Sequence, residues 1–183
     1  MIGSTFKVVN VVGSGQLPTE LAIEPLKEDL RGNSFENDSP QPGLHLQFEE
    51  DGPMTTFYKS GKYIVRAPNI EILNETKAKV RKEISRLKLI DEDCDTDFSI
   101  QNVVALGLLD VDNINLSSMT IGLGLEHTEY EPEQFPALTY RKPEYPCTFL
   151  LFANGKVVIA GADDPEEAEE SFEGFVEEIS EWL

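Results

Sequence analysis

The 183-residue chain has two cysteines, two histidines and one tryptophan, and each scarcity closes off a class of protein. Cys94 and Cys147 are too few for a disulfide-stapled secreted domain and are not spaced as metal ligands. With His45 and His127 as the only imidazoles, no zinc-ligand set can be assembled, so no metal or other cofactor is expected. No apolar run approaches the ~20 residues of a membrane-spanning helix. The start, Met1-Ile2-Gly3-Ser4, lacks a basic region followed by an apolar core. A reduced, cytoplasmic protein is expected. There is also no Gly-rich phosphate loop, no Ser-His-Asp set and no Cys-His pair, and catalysis is not expected.

Basic residues are scarce too, and unevenly so. Lys and Arg number 15 against 34 Asp and Glu, a formal net charge of −19. Residues 1–92 hold 12 cations and 14 carboxylates, whereas residues 93–183 hold 3 and 20. Taken alone, this charge argues for solubility and against nucleic acid. Lys outnumbers Arg ten to five, so the acidity does not by itself establish a salt-adapted interior.

What is present is a duplication. Val9-Asn10-Val11-Val12 returns as Gln101-Asn102-Val103-Val104, and Pro42-Gly43-Leu44 as Pro136-Ala137-Leu138. Phe57-Tyr58-Lys59-Ser60-Gly61-Lys62 returns as Leu151-Phe152-Ala153-Asn154-Gly155-Lys156. Collinear matches with small slips describe two copies of one unit, residues 1–92 and 93–183, too few for a solenoid.

Each copy reads as a strand, a helix, a run of strands and a final helix. In the first, Lys7–Val12 is a β-branched strand, Gly13-Ser14-Gly15 a breaker, and Pro18–Leu30 a helix. Residues 32–43 read as a polar loop; Leu44–Phe48, Met54–Tyr58 and Lys62–Ala67 read as strands divided by Gly turns. A helix follows from Pro68-Asn69 to about Leu89, its outer face carrying Lys77, Lys79, Arg81, Lys82, Arg86 and Lys88. In the second copy Asp163-Asp164-Pro165 starts the last helix, and Asp91–Asp97 is a short acidic linker.

Successive strand residues point to opposite faces of a sheet. In the second copy one face takes Thr148, Leu150, Phe152, Val158 and Ala160, the other Phe149, Leu151, Val157 and Ile159. Both faces are apolar. Two helices per copy cover only one of them. The other is left as a broad apolar surface, to be covered by a further layer, by a second copy of the chain, or by a ligand.

The string Tyr130-Glu-Pro-Glu-Gln-Phe135-Pro-Ala-Leu-Thr-Tyr-Arg141, the paired Asn-Val-Val strands and the Phe-x-x-Gly-Lys-Val-Val segment resemble the core domain of the TATA-box-binding protein family in its archaeal form. The resemblance covers essentially the whole chain. It implies an α+β fold in which two pseudo-symmetric repeats join into a saddle-shaped, curved antiparallel sheet, with helices on the convex face and the concave face on DNA. It also implies a general transcription initiation factor, not an enzyme, whose partners are A·T-rich double-stranded promoter DNA, transcription factor B and, indirectly, RNA polymerase. Such a factor works at the nucleoid, and a homodimer when free of DNA is compatible with it. The family is itself the type example of wedge insertion into the minor groove, with a kink of ~80°.

Carried residue by residue, the resemblance makes Phe135 and Phe152 the wedge pair of the second copy and Tyr58 the matching second wedge of the first. Asn10 and Asn102 would hydrogen-bond base acceptors, and Val12, Val104, Leu138, Leu150 and Val158 would form the apolar floor. Lys62, Arg141 and Lys156 would meet phosphates, and Glu131 and Glu133, flanking Pro132, would meet transcription factor B. The first copy departs from the pattern: Pro40-Gln41 stands where a wedge Phe is expected, Gln47 matches Arg141, and Arg66 and Ala160 replace the motif's Thr. The first half of the DNA site is therefore expected to be weakened or re-specified. A divergent paralogue that binds DNA weakly and acts as a regulatory protein-interaction module is the alternative.

Overall fold

The structure, a computed structural model, describes residues 3–36, 43–91 and 94–183. The chain divides into two compact units, Asn10–Gln101 and a second made of Met1–Val9 with Asn102–Leu183. β1 (Ser4–Gln16) runs through both. The first unit continues with α1 (Ile23–Asp29), β2 (Asn33–Glu36), β3 (Leu44–Gln47), β4 (Met54–Phe57), β5 (Lys62–Ala67) and α2 (Ile70–Arg86). β6 (Ser99–Leu109) leads into the second unit's α3 (Leu116–Leu123), β7 (Thr128–Glu129), β8 (Ala137–Tyr140), β9 (Thr148–Phe152), β10 (Lys156–Ala162) and α4 (Pro165–Ile179), and a 3-10 turn, Ser180–Trp182, follows. The strand orders are β2-β3-β4-β5-β1 and β7-β8-β9-β10-β6, the same arrangement twice. The class is α+β.

In each unit alternate strand residues point to a helix-covered core and to an uncovered face, on which Thr56 of β4 is itself buried. The first core stacks Gly13, Val65, Thr55 and Leu46 in one row and Gly15, Tyr63, Phe57 and Leu44 in the next. Leu73, Val80 and Ile84 of α2 are buried in this unit. The second core stacks Gly107, Val157, Leu151 and Leu138, then Ala105, Ile159, Phe149 and Tyr140. Phe175 of α4 lies flat on Phe149, centroids 4.3 Å apart. A helix stripe must be buried against a sheet face, which is why helix and sheet share one core here. Both long helices are capped: Asn69 accepts from the Ile72 N–H at 2.9 Å, and Asp164 from the Glu167 N–H at 2.8 Å. Glu167 reaches back to the Asp163 N–H at 2.7 Å.

Three elements differ from the sequence reading. β1 continues through Gly13-Ser14-Gly15, which pair with Val65, Ile64 and Tyr63 of β5, and the glycines are there because a Cβ at Gly13 would collide with the Phe98 ring and one at Gly15 with Tyr63. Glycine there admits aromatic rings from the core. The helix expected from Pro18 starts only at Ile23, since the N–H groups of Leu17 and Leu21 donate to the carbonyls of Gly61 and Lys59, at 2.9 Å each. The expected loop holds the four-residue strand β2. The acidic linker is also more than a spacer: Thr96 is buried and hydrogen-bonds the Tyr63 hydroxyl at 2.9 Å.

Candidate nucleic-acid interface

The uncovered face of the second unit is built from the residues that alternate with its core. Val104, Ala160 and Thr148 form one row, and Leu106, Val158, Leu150, Thr139 and Glu129 the next. Asn102 begins the β6 side of this face and Leu108, 53% exposed, ends it opposite Lys156. Val104, Leu106, Leu150 and Val158 are half-buried, a flush apolar surface in place of a set of projecting side chains. The alternation read from the sequence for β9 and β10 holds: Phe149, Leu151, Val157 and Ile159 are fully buried on the opposite face.

At one margin of this surface stand two rings. Phe135 is 44% exposed and meets Phe152 edge to face, with centroids 6.1 Å apart and planes at 66°. The pair is held from below by its backbone. Phe152 ends β9 opposite Ala137, and the Gln134 and Phe135 N–H groups both donate to the Glu131 carbonyl at 2.9 Å, closing the turn before β8. That turn presents Glu131, Pro132 and Glu133 to solvent, with the Gln134 side-chain amide bonded to the Glu131 carboxylate.

The charge around the face is sorted. Of the three cations in residues 93–183, Lys156 places its Nζ 5.9 Å from the Phe152 centroid, and Arg141 donates from Nε to Thr148 Oγ1 at 3.3 Å. Both are on the uncovered side. The third, Lys142, bonds Glu178 of α4 at 2.9 Å and is neutralised there. Glu129, on the outermost strand, has its carboxylate 3.7 Å from Arg141, and the inner strands of this face carry no acid. Glu166, Glu169, Glu170, Glu173 and Glu177 are exposed on α4, in the helix layer behind the sheet.

The first unit repeats the geometry with different chemistry. Its rows are Val12, Arg66 and Met54, then Ser14, Ile64, Thr56, His45 and Phe35, with Gln16 opposite Lys62. Asn10 and Val12 are half-buried on this face, and Lys62 is exposed. Tyr58 follows β4 and is half-buried beside Gly43, whose added Cβ would lie 3.3 Å from the Tyr58 ring. Thr56 Oγ1 is 2.8 Å from His45 Nδ1, and Arg66 donates to the same oxygen at 3.5 Å. Burial, and then the Arg66 charge, push the His45 pKa below its ordinary value.

Among the candidate residues, Asn10, Val12, Tyr58, Lys62, Asn102, Val104, Phe135, Arg141, Leu150, Phe152, Lys156 and Val158 all lie on or beside the uncovered faces. Leu138 does not. It is fully buried opposite Leu151 and belongs to the core, because it alternates with Thr139, which takes the uncovered position. Pro40 and Gln41 fall outside the described residues, whereas Gln47 is half-buried and donates to the Gly52 carbonyl at 2.9 Å. Sequence reasoning placed Thr148 on this face and missed Leu106, Leu108, Ser14, Ile64, Thr56, His45 and Phe35 as face residues. Counting alternate positions from Asn10 and Asn102 finds the members on β1 and β6, and counting from Lys62 finds Ile64 on β5; those on β2, β3 and β4 need the register. Among the described residues no group of His, Cys, Asp or Glu can hold a metal ion, and no helix is long and apolar enough to cross a membrane.

The family model described as transcription factor TFIID (or TATA-binding protein, TBP) matches residues 5–87 and again 97–182. The chain belongs to the TATA-binding protein family. It is 45% identical to TATA-box-binding protein C of Halobacterium salinarum over 179 residues, 97% of this chain and 98% of that one. TATA-box-binding protein 2 of Haloferax volcanii is 36% identical over 176 residues, covering 96% and 93% of the two chains. The solved structure of the Methanococcus jannaschii TBP superposes with a TM-score of 0.75 at 28% identity, covering 97% of this chain and 98% of that one. Membership makes the chain a DNA-binding general transcription initiation factor and not an enzyme, and the fold is the one shared by TATA-binding proteins.

Proposed function

We propose that the chain binds the minor groove of A·T-rich promoter DNA with its uncovered sheet faces, bends the duplex, and then recruits transcription factor B through the turn bearing Glu131 and Glu133. The observation that carries this reading is the Phe135–Phe152 pair at the margin of an apolar surface whose inner strands hold no carboxylate. A·T base pairs present only acceptors in the minor groove, so a flat apolar floor matches them and leaves a guanine amino group unsatisfied. Rings at the margin can part a base step, and the cost of unstacking is offset by the larger surface the bent duplex covers. Asn102 and Asn10 supply amide donors to base acceptors, and Arg141, Lys156 and Lys62 lie where phosphates pass. RNA polymerase follows indirectly, and the setting is cytoplasmic, at the nucleoid.

Bending is measured by energy transfer between dyes at the two ends of an A·T-rich duplex. Phe135→Ala and Phe152→Ala each abolish most of the transfer change and weaken binding by tenfold or more, about 1.4 kcal/mol. Their thermal unfolding by circular dichroism stays close to that of the unmodified protein, because neither ring is in a core. Glu131→Arg together with Glu133→Arg leaves binary binding intact and removes the supershift by transcription factor B. Unfolding of either Phe variant, combined with no bending by the unmodified protein, would make the rings structural. A supershift without any binary binding would favour the protein-interaction module.

A further inference from the structure

α2 and α4 close the two copies of the duplicated unit, and their outer faces carry opposite charge. The second half of α2 bears Lys77, Lys79, Arg81, Lys82 and Arg86, with Lys88 just past its end. The one acid in that stretch, Glu83, is buried and bound to Arg86 at 2.6 Å, and the exposed acids Glu71 and Glu75 are confined to the first two turns. α4 is the reverse: it has no Lys or Arg, and none follows Lys156 to the end of the chain. Its exposed Glu166, Glu169, Glu170, Glu173 and Glu177 recur at the three- and four-residue spacing that lines one face of a helix.

The basic face is only partly neutralised within its own unit. Lys79 pairs with the exposed Glu49 at 2.6 Å, and Lys77 stands 4.5 Å over the Phe98 ring. Lys82 and Lys88 are exposed and form no ion pair among the described residues, and the same holds for those five glutamates of α4. The stripes also match in length: Lys77 to Arg86 spans ~14 Å of helix and Glu166 to Glu177 ~16 Å. A recess of about 480 Å³ opens along α2, lined by Ala78, Arg81, Lys82, Ser85 and Arg86. Side chains of a second helix can enter between its cations, as a ridge enters a groove.

We propose that the basic face of α2 docks the acidic face of α4 on a second copy of this chain. Each stripe is one helix face wide, so the contact buries far less than the ~800 Å² per partner of a stable interface, and it is weak and reversible. Both faces lie on the helix-covered side of their sheets; docking leaves the uncovered faces open and does not depend on whether those faces bind DNA. Salt acts on this contact twice. At ~0.01 M, where the Debye length is ~30 Å, the net charge of −19 on each copy drives copies apart; at ~0.15 M that repulsion is screened and the close pairs remain; at ~1 M the pairs fade as well.

Sedimentation equilibrium of the full chain, up to about 1 mM protein, reads the association. The average mass of the unmodified protein rises with concentration, most at ~0.15 M KCl and less at ~0.01 M and ~1 M. Two variants each reverse one face at exposed positions: Lys79→Glu, Lys82→Glu and Lys88→Glu on α2, and Glu169→Lys, Glu173→Lys and Glu177→Lys on α4. Circular dichroism verifies that each is folded. Either variant alone associates about tenfold or more weakly, and an equimolar mixture regains the association, because the reversed faces complement each other. The α4 variant is the sharper of the two. Each Glu→Lys change adds two charges, so its net charge falls from −19 to −13, and indiscriminate repulsion alone would make it associate more strongly. An unmodified protein that stays monomeric at ~0.15 M KCl overturns the proposal. So do variants that associate like the unmodified chain, or an association that only grows toward ~1 M salt, which would place the contact on the apolar uncovered faces. An α2 variant that loses affinity for duplex DNA while its self-association is unchanged would make that face a nucleic-acid surface instead.

Discussion

Glu178 shows how much a single residue can organise. Its carboxylate accepts from Lys142 Nζ at 2.9 Å, the Tyr140 hydroxyl at 3.0 Å and the Tyr145 hydroxyl at 3.2 Å. It thereby ties α4 to the end of β8 and to the segment that follows. Burial pushes the carboxyl pKa up, but the bonds from Lys142 and the two phenols outweigh it and hold it below the usual value. Burial and the neighbouring Glu178 push the phenols up, Tyr145 to about 12. A depressed carboxylate stabilises the fold above its unfolded pKa, and that stability is lost as pH falls through the folded value. The raised phenols act at the other end: their stabilisation is complete below about pH 10 and is lost as pH rises through their folded values. Glu178→Ala leaves the fully buried Tyr140 without its acceptor and should cost about 1–3 kcal/mol. Urea unfolding at pH 7 measures this. Repeating it at pH 3 should shrink the gap between the two proteins, and a gap that stays constant would mean the carboxylate contributes packing alone.

At the scale of elements, close approach of helix and strand sets what each strand can be. Gly107 on β6 lies against the ring of Phe172 from α4, and a Cβ there would overlap the ring. Phe172 is almost fully buried and also meets Phe6 of β1, centroids 5.8 Å apart, so it has little room to retreat. Gly107→Ala should therefore destabilise the protein by about 1–3 kcal/mol through overpacking. Thermal and urea unfolding would read this directly. Stability equal to the unmodified protein would show that the ring repacks freely.

The elements also show what was legible beforehand. β9 and β10 announce themselves, since both faces are apolar and the Gly turn sets the phase. α2 and α4 declare their starts through Asn69 and Asp164. β2 was invisible because Asn33-Ser34-Phe35-Glu36 has neither alternation nor a β-branched residue, and its pairing with β3 makes it a strand. The string around Phe135 named residues that stand on or beside the second unit's uncovered face, Leu138 excepted. Leu138 was misassigned because motif matching names a position without its side. The first-copy face stayed hidden longest. Arg66, Thr56 and His45 stand ten or more residues apart along the chain, and only the register of β3, β4 and β5 puts them in one cluster.

For the molecule as a whole, the question is how a chain of net charge −19 approaches a polyanion. A protein that neutralises phosphates releases counterions, and its affinity falls steeply with salt, by roughly a thousandfold or more between 50 and 200 mM for six or more contacts. Here the phosphate contacts proposed are three, Lys62, Arg141 and Lys156, so the attractive slope is shallow, about −2.7 in log affinity against log salt. The repeat with the intact wedge pair has 20 carboxylates against 3 cations in residues 93–183, and the exposed ones on α4 lie behind the sheet. Repulsion across that thickness is felt at a Debye length of ~10 Å, near 0.1 M salt, and is lost at ~3 Å, near 1 M. Adding salt therefore weakens the repulsion as it weakens the contacts, while apolar burial in the groove is untouched or strengthened. Between 50 and 200 mM KCl the affinity for an A·T-rich duplex should change by less than about tenfold in either direction, against that thousandfold loss for a basic protein. Replacing Glu169, Glu170, Glu173 and Glu177 by Gln should raise affinity most at low salt and steepen its fall, although none of them touches DNA. An unmodified protein whose slope matched that of an ordinary basic DNA-binding domain would show that its carboxylates are electrostatically silent at the interface.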